Sequence, residues 1–435
     1  MVVKNMSKLE TYDSIKSSGI QWVGDIPSHW HVHTLYQLVS QVKNKNSDLR
    51  EKNLLSLSYG KIKRKDINSS DGLLPASFDG YNIIEDGDIV LRLTDLQNDH
   101  TSLRVGLSNE RGIITSAYTT LRPIDKSTSK YLYYLLYAFD LKKGFYGMGA
   151  GVRQGLNYDT VKELRVILPS SEQESKEITR YLDEKVSKVN LLIESAKRCI
   201  EDYRNWRDSL ISKALTKGIN KYGKVKESGI DHIGLIPISW KVARIKYLAN
   251  IEPTCDKSHL VNSDIVSFAP MECIRTDCRI SRVSSLAHCG SHSCFMDGDI
   301  ALAKVTPCFE NKNVCIMENL ENGFAFGSTE LINLRAINIR PRFLLYWLQT
   351  EKFIEDGKAN MSGVAGLKRV PPSYVKNAYM TLPPNEEQDE IIQYLDKQCK
   401  IINSLSQNKQ ELIDDLESYK RSLIYEVVTG KRKVV

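Results

Sequence analysis

Along residues 182–214 apolar side chains return at alternating steps of four and three: Leu182, Val186, Val189, Ile193, Ala196, Ile200, Tyr203, then Leu210 and Ala214. Arg207 is the one polar break. This spacing keeps an apolar stripe on one side of a helix over more than four heptads and predicts a coiled-coil seam. A second stripe, Leu395, Cys399, Ile402, Ile413, Leu416, Leu423 and Val427, is broken by Ser406, Lys409 and Lys420. Ser170 with Gln173, and Asn385 with Gln388, read as capping boxes at the two helix starts, while Gly218 and Gly430 read as the stops. Each helix then spans about 45 residues, or roughly 65–70 Å. A globular domain of about 150 residues cannot cover such a helix on all sides, so the seams need each other or a partner chain. The simplest arrangement is an antiparallel pair separating two globular heads. The alternative is that each helix folds back on its own domain.

The pattern ahead of each long helix is different. Short β-branched runs such as Asp88-Ile89-Val90-Leu91-Arg92-Leu93 and Arg111-Gly112-Ile113-Ile114-Thr115 are separated by the turn signals Asp71-Gly72, Asp79-Gly80 and Asp86-Gly87. A helical stretch follows at Tyr131 to Phe139, echoed at Phe343 to Leu348. These portions read as mixed α+β.

The whole arrangement occurs twice. Residues 12–35 and 222–245 share ten of 24 positions at an offset of 210, among them Gly19/Gly229, Pro27/Pro237 and Trp30/Trp240. Asp86-Gly87-Asp88-Ile89 answers Asp297-Gly298-Asp299-Ile300, Glu172-Gln173 answers Glu387-Gln388, and Tyr181-Leu182-Asp183 answers Tyr394-Leu395-Asp396. The stretches at roughly 40–110 and 250–320 share almost nothing. The fold class expected is therefore α+β with a pseudo-two-fold internal repeat: a globular domain over 1–169, a long helix over 170–218, a second globular domain over 219–384 and a second long helix over 385–430. One frame carries two different payloads. A duplication kept only for bulk gives no reason for that divergence.

Composition narrows the function. The 435 residues are 41% hydrophobic, enough for a core in each domain. No apolar run approaches the ~18 residues of a membrane span, and the first residues carry no signal-peptide core, so a soluble, cytoplasmic protein is expected. Lys and Arg number 60 against 53 Asp and Glu, a mild excess that permits a nucleic-acid partner. Nine cysteines, seven of them between Cys255 and Cys315, argue against a disulfide framework. Cys273, Cys278, Cys289 and Cys294 with His288 and His292 raise the alternative of a zinc site, but their spacing sits at the edge of the usual range and the first half lacks the cluster. His29, His31 and His33 have Ser239, Lys241 and Ala243 at the repeated places, which argues against ligation. No Gly-rich nucleotide motif is present, and Val370-Pro371-Pro372-Ser373-Tyr374 lacks the residues a base-flipping adenine methyltransferase would need. No catalytic, cofactor-binding or metal residue is expected in this chain.

The payloads instead carry the side chains that base and phosphate contacts need. In the first half these are Lys61, Lys63, Arg64, Lys65, Arg92, Thr94, Gln97, Asn98 and Arg104, with Arg153 and Gln154 on a Gly-flanked loop. In the second they are Lys304, Thr306, Asn311 and Lys312, with Lys368 and Arg369 on a loop at the same point of the repeat. A charge run such as 61–65 is by itself more often a solvated face. The paired small-residue loops just before each long helix are the stronger signal.

The doubled opening from Gly19 to Trp30, and the doubled Leu-Pro, Glu-Gln, Tyr-Leu-Asp entry into a long helix ending Ser-Leu-Ile, resemble the specificity subunit of type I restriction-modification systems over nearly the whole chain. The resemblance implies two target-recognition domains, each reading one half of an interrupted duplex-DNA sequence, with the helices as spacer. It implies a non-catalytic chain that docks two methylation subunits and, in the full complex, two restriction subunits. S-adenosylmethionine, ATP and Mg would belong to those partners, with no cofactor on this chain. The second seam is more polar than the first, so the helix pair is not expected to be strictly symmetric.

Overall fold

The computed structural model describes all residues except 1–10, 69–74, 76, 100, 149–154, 220–222, 276–279, 281, 365 and 435. The chain divides into two compact units, one of residues 1–196 with 411–435 and one of residues 197–410. Two helices, Glu172–Lys217 and Asn385–Val428, each contribute residues to both units.

Each unit is built on a four-stranded antiparallel sheet with one strand order. In the first the order is Val39–Gln41, Thr119–Pro123, Ile89–Leu91, Val105–Leu107. In the second it is Ala249–Ile251, Leu331–Ala336, Ile300–Ala303, Val314–Ile316. The helix Ser129–Leu141 buries Tyr131, Leu132, Leu135 and Ala138 in the first core. In the second unit that helix is broken into Pro341–Leu348 and Glu351–Ala359. The fold is therefore a doubled α+β unit with long helical segments.

The repeated motifs have a structural use. Trp30 is fully buried, and its Nε1 donates to Glu174 Oε1 at 2.9 Å; Trp240 Nε1 donates to Glu387 Oε2 at 2.6 Å. Each indole thus pins its unit to the start of a long helix. Tyr12 and His29 add their own contacts to Glu174 at 3.0 and 3.1 Å, and burial beside that carboxylate pushes the Tyr12 phenol up. Asp88 and Asp299, both buried, each receive a two-pronged guanidinium, from Arg122 at 2.8 and 2.7 Å and from Arg335 at 2.7 and 2.8 Å. The preceding Gly87 and Gly298 take φ of 93° and 85°, a conformation that favours glycine, which explains the doubled Asp-Gly-Asp. Tyr134 donates to Asp183 at 2.8 Å and Tyr346 to Asp396 at 2.5 Å, which accounts for the doubled Tyr-Leu-Asp.

Two details of the sequence reading change. The first helix is capped one residue later than expected: Glu174 N donates to Ser171 Oγ at 3.1 Å, while Ser170 Oγ bonds the His29 carbonyl. The structural counterpart of Glu387 is accordingly Glu174, and the Glu172-Gln173 pairing is out of register.

Within the first unit the two long-helix segments run antiparallel, since Asn190 meets Lys420 and Tyr181 meets Arg432. Leu182, Val189, Ile193 and Ala196 of the expected seam are buried, as are Ile413, Leu423 and Val427 opposite. Lys420, a polar break, is satisfied by donating to Asn190 Oδ1 at 3.1 Å. Gly430, at φ 70°, closes over Pro27 and Trp30 where a Cβ would stand 2.3 Å from Pro27 Cδ. In the second unit Gly218, at φ 74°, lies beside Trp240 in the same way. Among the described residues no helix is long and apolar enough to cross a membrane.

Candidate nucleic-acid interface

In the first unit, Leu55–Ser58 and Lys61–Arg64 form a hairpin with Leu55 opposite Arg64 and Ser58 opposite Lys61. Lys61, Lys63 and Lys65 are exposed, and among the described residues none has an ion-pair partner. Arg64 is exposed but bound, with Nε 2.8 Å and Nη2 2.5 Å from Glu110 Oε2. The hairpin turn sits against the 92–104 loop, for a Cβ on Gly60 would lie 3.0 Å from Leu103 Cβ.

That loop exposes Thr94, Gln97 and Asn98, the last donating to Asp95 Oδ1 at 2.8 Å. Arg92 is half-buried, 3.8 Å from Asp99. Arg104 overturns its expected role. Its side chain is fully buried, donating to the carbonyls of Thr94 at 2.7 Å, Asp95 at 3.2 Å and Asp99, and to Tyr146 Oη at 3.2 Å. A guanidinium spent on three carbonyls shapes the loop and cannot reach a ligand as it stands. Serine and backbone donors at Ser102 hold the Asp99 carboxyl well below the usual range. Arg153 and Gln154 lie outside the described residues. The chain resumes beside the same loop, where Leu156 N donates to Leu93 O at 3.0 Å.

Asp140 supports the loop from below. Its Oδ2 accepts Arg104 N at 2.6 Å, while Oδ1 is buried without a partner. Burial pushes this carboxyl up to about 6, against the opposing pull of Arg104 and Lys143. The folded protein therefore keeps the proton between about pH 4 and 6, where the unfolded chain has released it, so stability from this group falls as pH rises through that window. Asp140→Asn, whose amide oxygen can still accept from Arg104, is expected to raise the thermal midpoint at pH 8 and to leave it nearly unchanged at pH 4. A constant difference across both pH values would contradict this.

In the second unit the equivalent loop and the hairpin Ser362–Val364 with Leu367–Arg369 are stitched together. Thr306 N donates to Lys368 O at 2.9 Å, its Oγ1 donates to Gly366 O at 2.9 Å, and Val370 N donates to Lys304 O at 2.8 Å. Thr306 therefore holds the loop pair. Lys368 and Asn311 are exposed, and Lys304 is half-buried. Lys312 departs from expectation: it sits at φ 59° with Nζ 2.5 Å from Asp208, largely covered. Arg369 is clamped by Glu330, with Nε at 2.9 Å and Nη2 at 2.6 Å. The thiols of the zinc alternative are divided, Cys289 and Cys294 packing with Phe324 and Phe326, and Cys273 with a separate cluster around Ile274 and Phe295. Cys278 lies outside the described residues.

Among the described residues the free groups are thus Lys61, Lys63, Lys65, Thr94, Gln97, Lys368 and Asn311. Ser56, Ser58 and Tyr59 belong with them and were absent from the sequence reading. Their signal was the alternation Leu55-Ser56-Leu57-Ser58, then Tyr59-Gly60, then Lys61-Ile62-Lys63, which is a hairpin pattern.

No protein-family model matches the chain. It is 33% identical, over 41% of its length, to the type I restriction enzyme EcoEI specificity subunit of Escherichia coli. The chain spans only 31% of that relative's length, and the same share of the EcoAI specificity subunit. It is 22% identical to the type I restriction enzyme MjaVIII specificity subunit of Methanocaldococcus jannaschii, over 94% of both chains. A solved chain from work on complex assembly and conformational transition of the type I R-M system superposes with a TM-score of 0.65 at 14% identity, covering 93% of this chain and 98% of that one. The fold is shared with that chain, and the likeness to type I specificity subunits read from the doubled motifs holds.

Proposed function

We propose that this chain is the DNA-recognition subunit of a type I restriction-modification complex. Each α+β unit reads one half of a bipartite duplex target, and the long helices set the gap and dock two methylation subunits. Two restriction subunits complete the assembly. The chain itself is non-catalytic and holds no cofactor; S-adenosylmethionine, ATP and Mg act on the partner subunits.

One observation carries the reading. The doubled Trp and Tyr-Leu-Asp motifs tie each unit to a long helix (Trp30 to Glu174, Trp240 to Glu387, Tyr134 to Asp183, Tyr346 to Asp396), and the doubled Asp-Gly-Asp braces each sheet through Arg122 or Arg335. What differs between the units is the set of exposed loops. A constant frame with two unlike polar surfaces is what reading two unlike half-sites requires, because discrimination lives in side chains at base edges.

The test is to map N6-methyladenine across a genome in cells expressing the partner subunits, with and without this gene. An interrupted two-part motif that appears only with the gene is the expected outcome. If a complex forms and no motif changes, a protein-binding scaffold replaces the recognition reading.

A further inference from the structure

Resting on that reading, we infer that the 55–64 hairpin is a two-stranded ribbon that enters the major groove of the first half-site, with Tyr59 at its tip on base edges and Lys61 and Lys63 on the flanking phosphates.

The ribbon has two unlike faces. Leu55, Leu57 and Ile62 point into a core with Ile84, Val90 and Ile114. Gly106 allows the close approach, since a Cβ there would stand 2.5 Å from Leu57 Cδ1. The pairing register, Ser56 opposite Lys63 and Ser58 opposite Lys61, leaves two hydroxyls and two ammonium groups on the other face. No carboxylate pairs with either lysine among the described residues, whereas Arg64 at the ribbon's base is held by Glu110.

The tip is the stronger observation. Tyr59 and Gly60 have φ of 48° and 73°, the left-handed pair of a two-residue hairpin turn. Asn-Gly suits that turn, while a bulky side chain at the first position is strained. Tyr59 is nevertheless 77% exposed and forms no hydrogen bond or ring contact within the described chain. The fold bears the strain and gains no packing from the ring. An aromatic hydroxyl held outward in this way suits a ligand.

The second unit lacks the device. At the same sheet position Ile265–Ala269 pairs with Val283–Ser285, joined by residues 270–282 in place of a two-residue turn, and neither strand carries a lysine. A feature found in one unit and absent from the other fits a contact with one half-site. Strands of four residues reach about 13 Å, and the major groove, about 12 Å wide, admits a two-stranded ribbon in an undeformed duplex, whereas the minor groove, about 6 Å wide, must first be opened by bending.

The experiment uses the complex of this chain with its methylation subunits and a fluorescent duplex carrying the mapped motif. Tyr59→Asn gives the turn its favoured residue, so the thermal midpoint should hold or rise while affinity falls about tenfold. Lys61→Gln with Lys63→Gln should lower the slope of log affinity against log salt by about 1.8. A duplex with 7-deazapurines in the first half-site, which lack the major-groove N7 acceptor, should weaken the parent and cost Tyr59→Asn nothing more. If the parent binds its motif and both variants bind equally well with unchanged salt slope, the ribbon is a solvated face and only this inference falls. If the parent itself shows no sequence preference, the recognition reading falls with it.

Discussion

Trp30→Ala is expected to remove about 3–5 kcal/mol from the stability of the first unit. Trp30 is fully buried, with Tyr131 edge-on at 6.1 Å and Tyr12 at 5.9 Å. Truncation would open a cavity and leave Glu174, itself 8% exposed, without its indole donor. It would also remove the surface on which Gly430 closes at the end of the second long helix. Three chain segments that are far apart in sequence lose a common anchor at once. Trp240→Ala should do the same in the second unit, through Glu387 and Gly218. Hydrogen exchange separates the two outcomes. Trp30→Ala should lower protection in the strands Ile89–Leu91 and Thr119–Pro123, and Trp240→Ala in Ile300–Ala303 and Leu331–Ala336. Equal loss in both sheets from either variant would refute the assignment of one tryptophan anchor to each unit.

The same anchors show what can be read without coordinates. Trp30 and Trp240 announce themselves because the strings around them are nearly alike. Their meaning does not, since the carboxylate each one bonds lies 144 or 147 residues away. The helix seams are legible because a period of 3.5 is a local property, and even the polar break at Lys420 falls on the stripe. The loops were harder. Arg64, Lys312 and Arg369 look free in a polar string, but Glu110, Asp208 and Glu330 reach them across separations of 46, 104 and 39 residues. Arg104 reads as a surface cation because it follows a polar run, yet its guanidinium satisfies carbonyls that the loop's own curvature turns inward. Charge is visible in sequence; compensation of charge is a tertiary property. Tyr59 is masked for the opposite reason, since the string of lysines after it obscures the alternation that makes their strand half of a hairpin.

Inserting one heptad into each long helix, at matched points of the two seams, is expected to lengthen the gap between the half-sites and leave both half-sequences unchanged. Seven residues keep the apolar stripe in phase, whereas three or four would turn it away from its partner. The added length is about 10.5 Å at about 1.5 Å per residue, and about 3.4 Å of duplex per base pair makes three base pairs the upper bound. Helices oblique to the duplex would project less, so an increase of one to about three base pairs is the expected range. Insertion in one helix alone should fail differently, because residues such as Lys420 and Asn190 would lose their register. Methylation mapping of the two insertions reads both results directly. An unchanged gap, or altered bases in either half, would remove the spacer role from the helices and leave them as docking surfaces only. A longer gap with intact halves would mean that recognition and spacing are set by separate parts of the chain, as expected if the divergent loops read bases and the repeated frame measures distance.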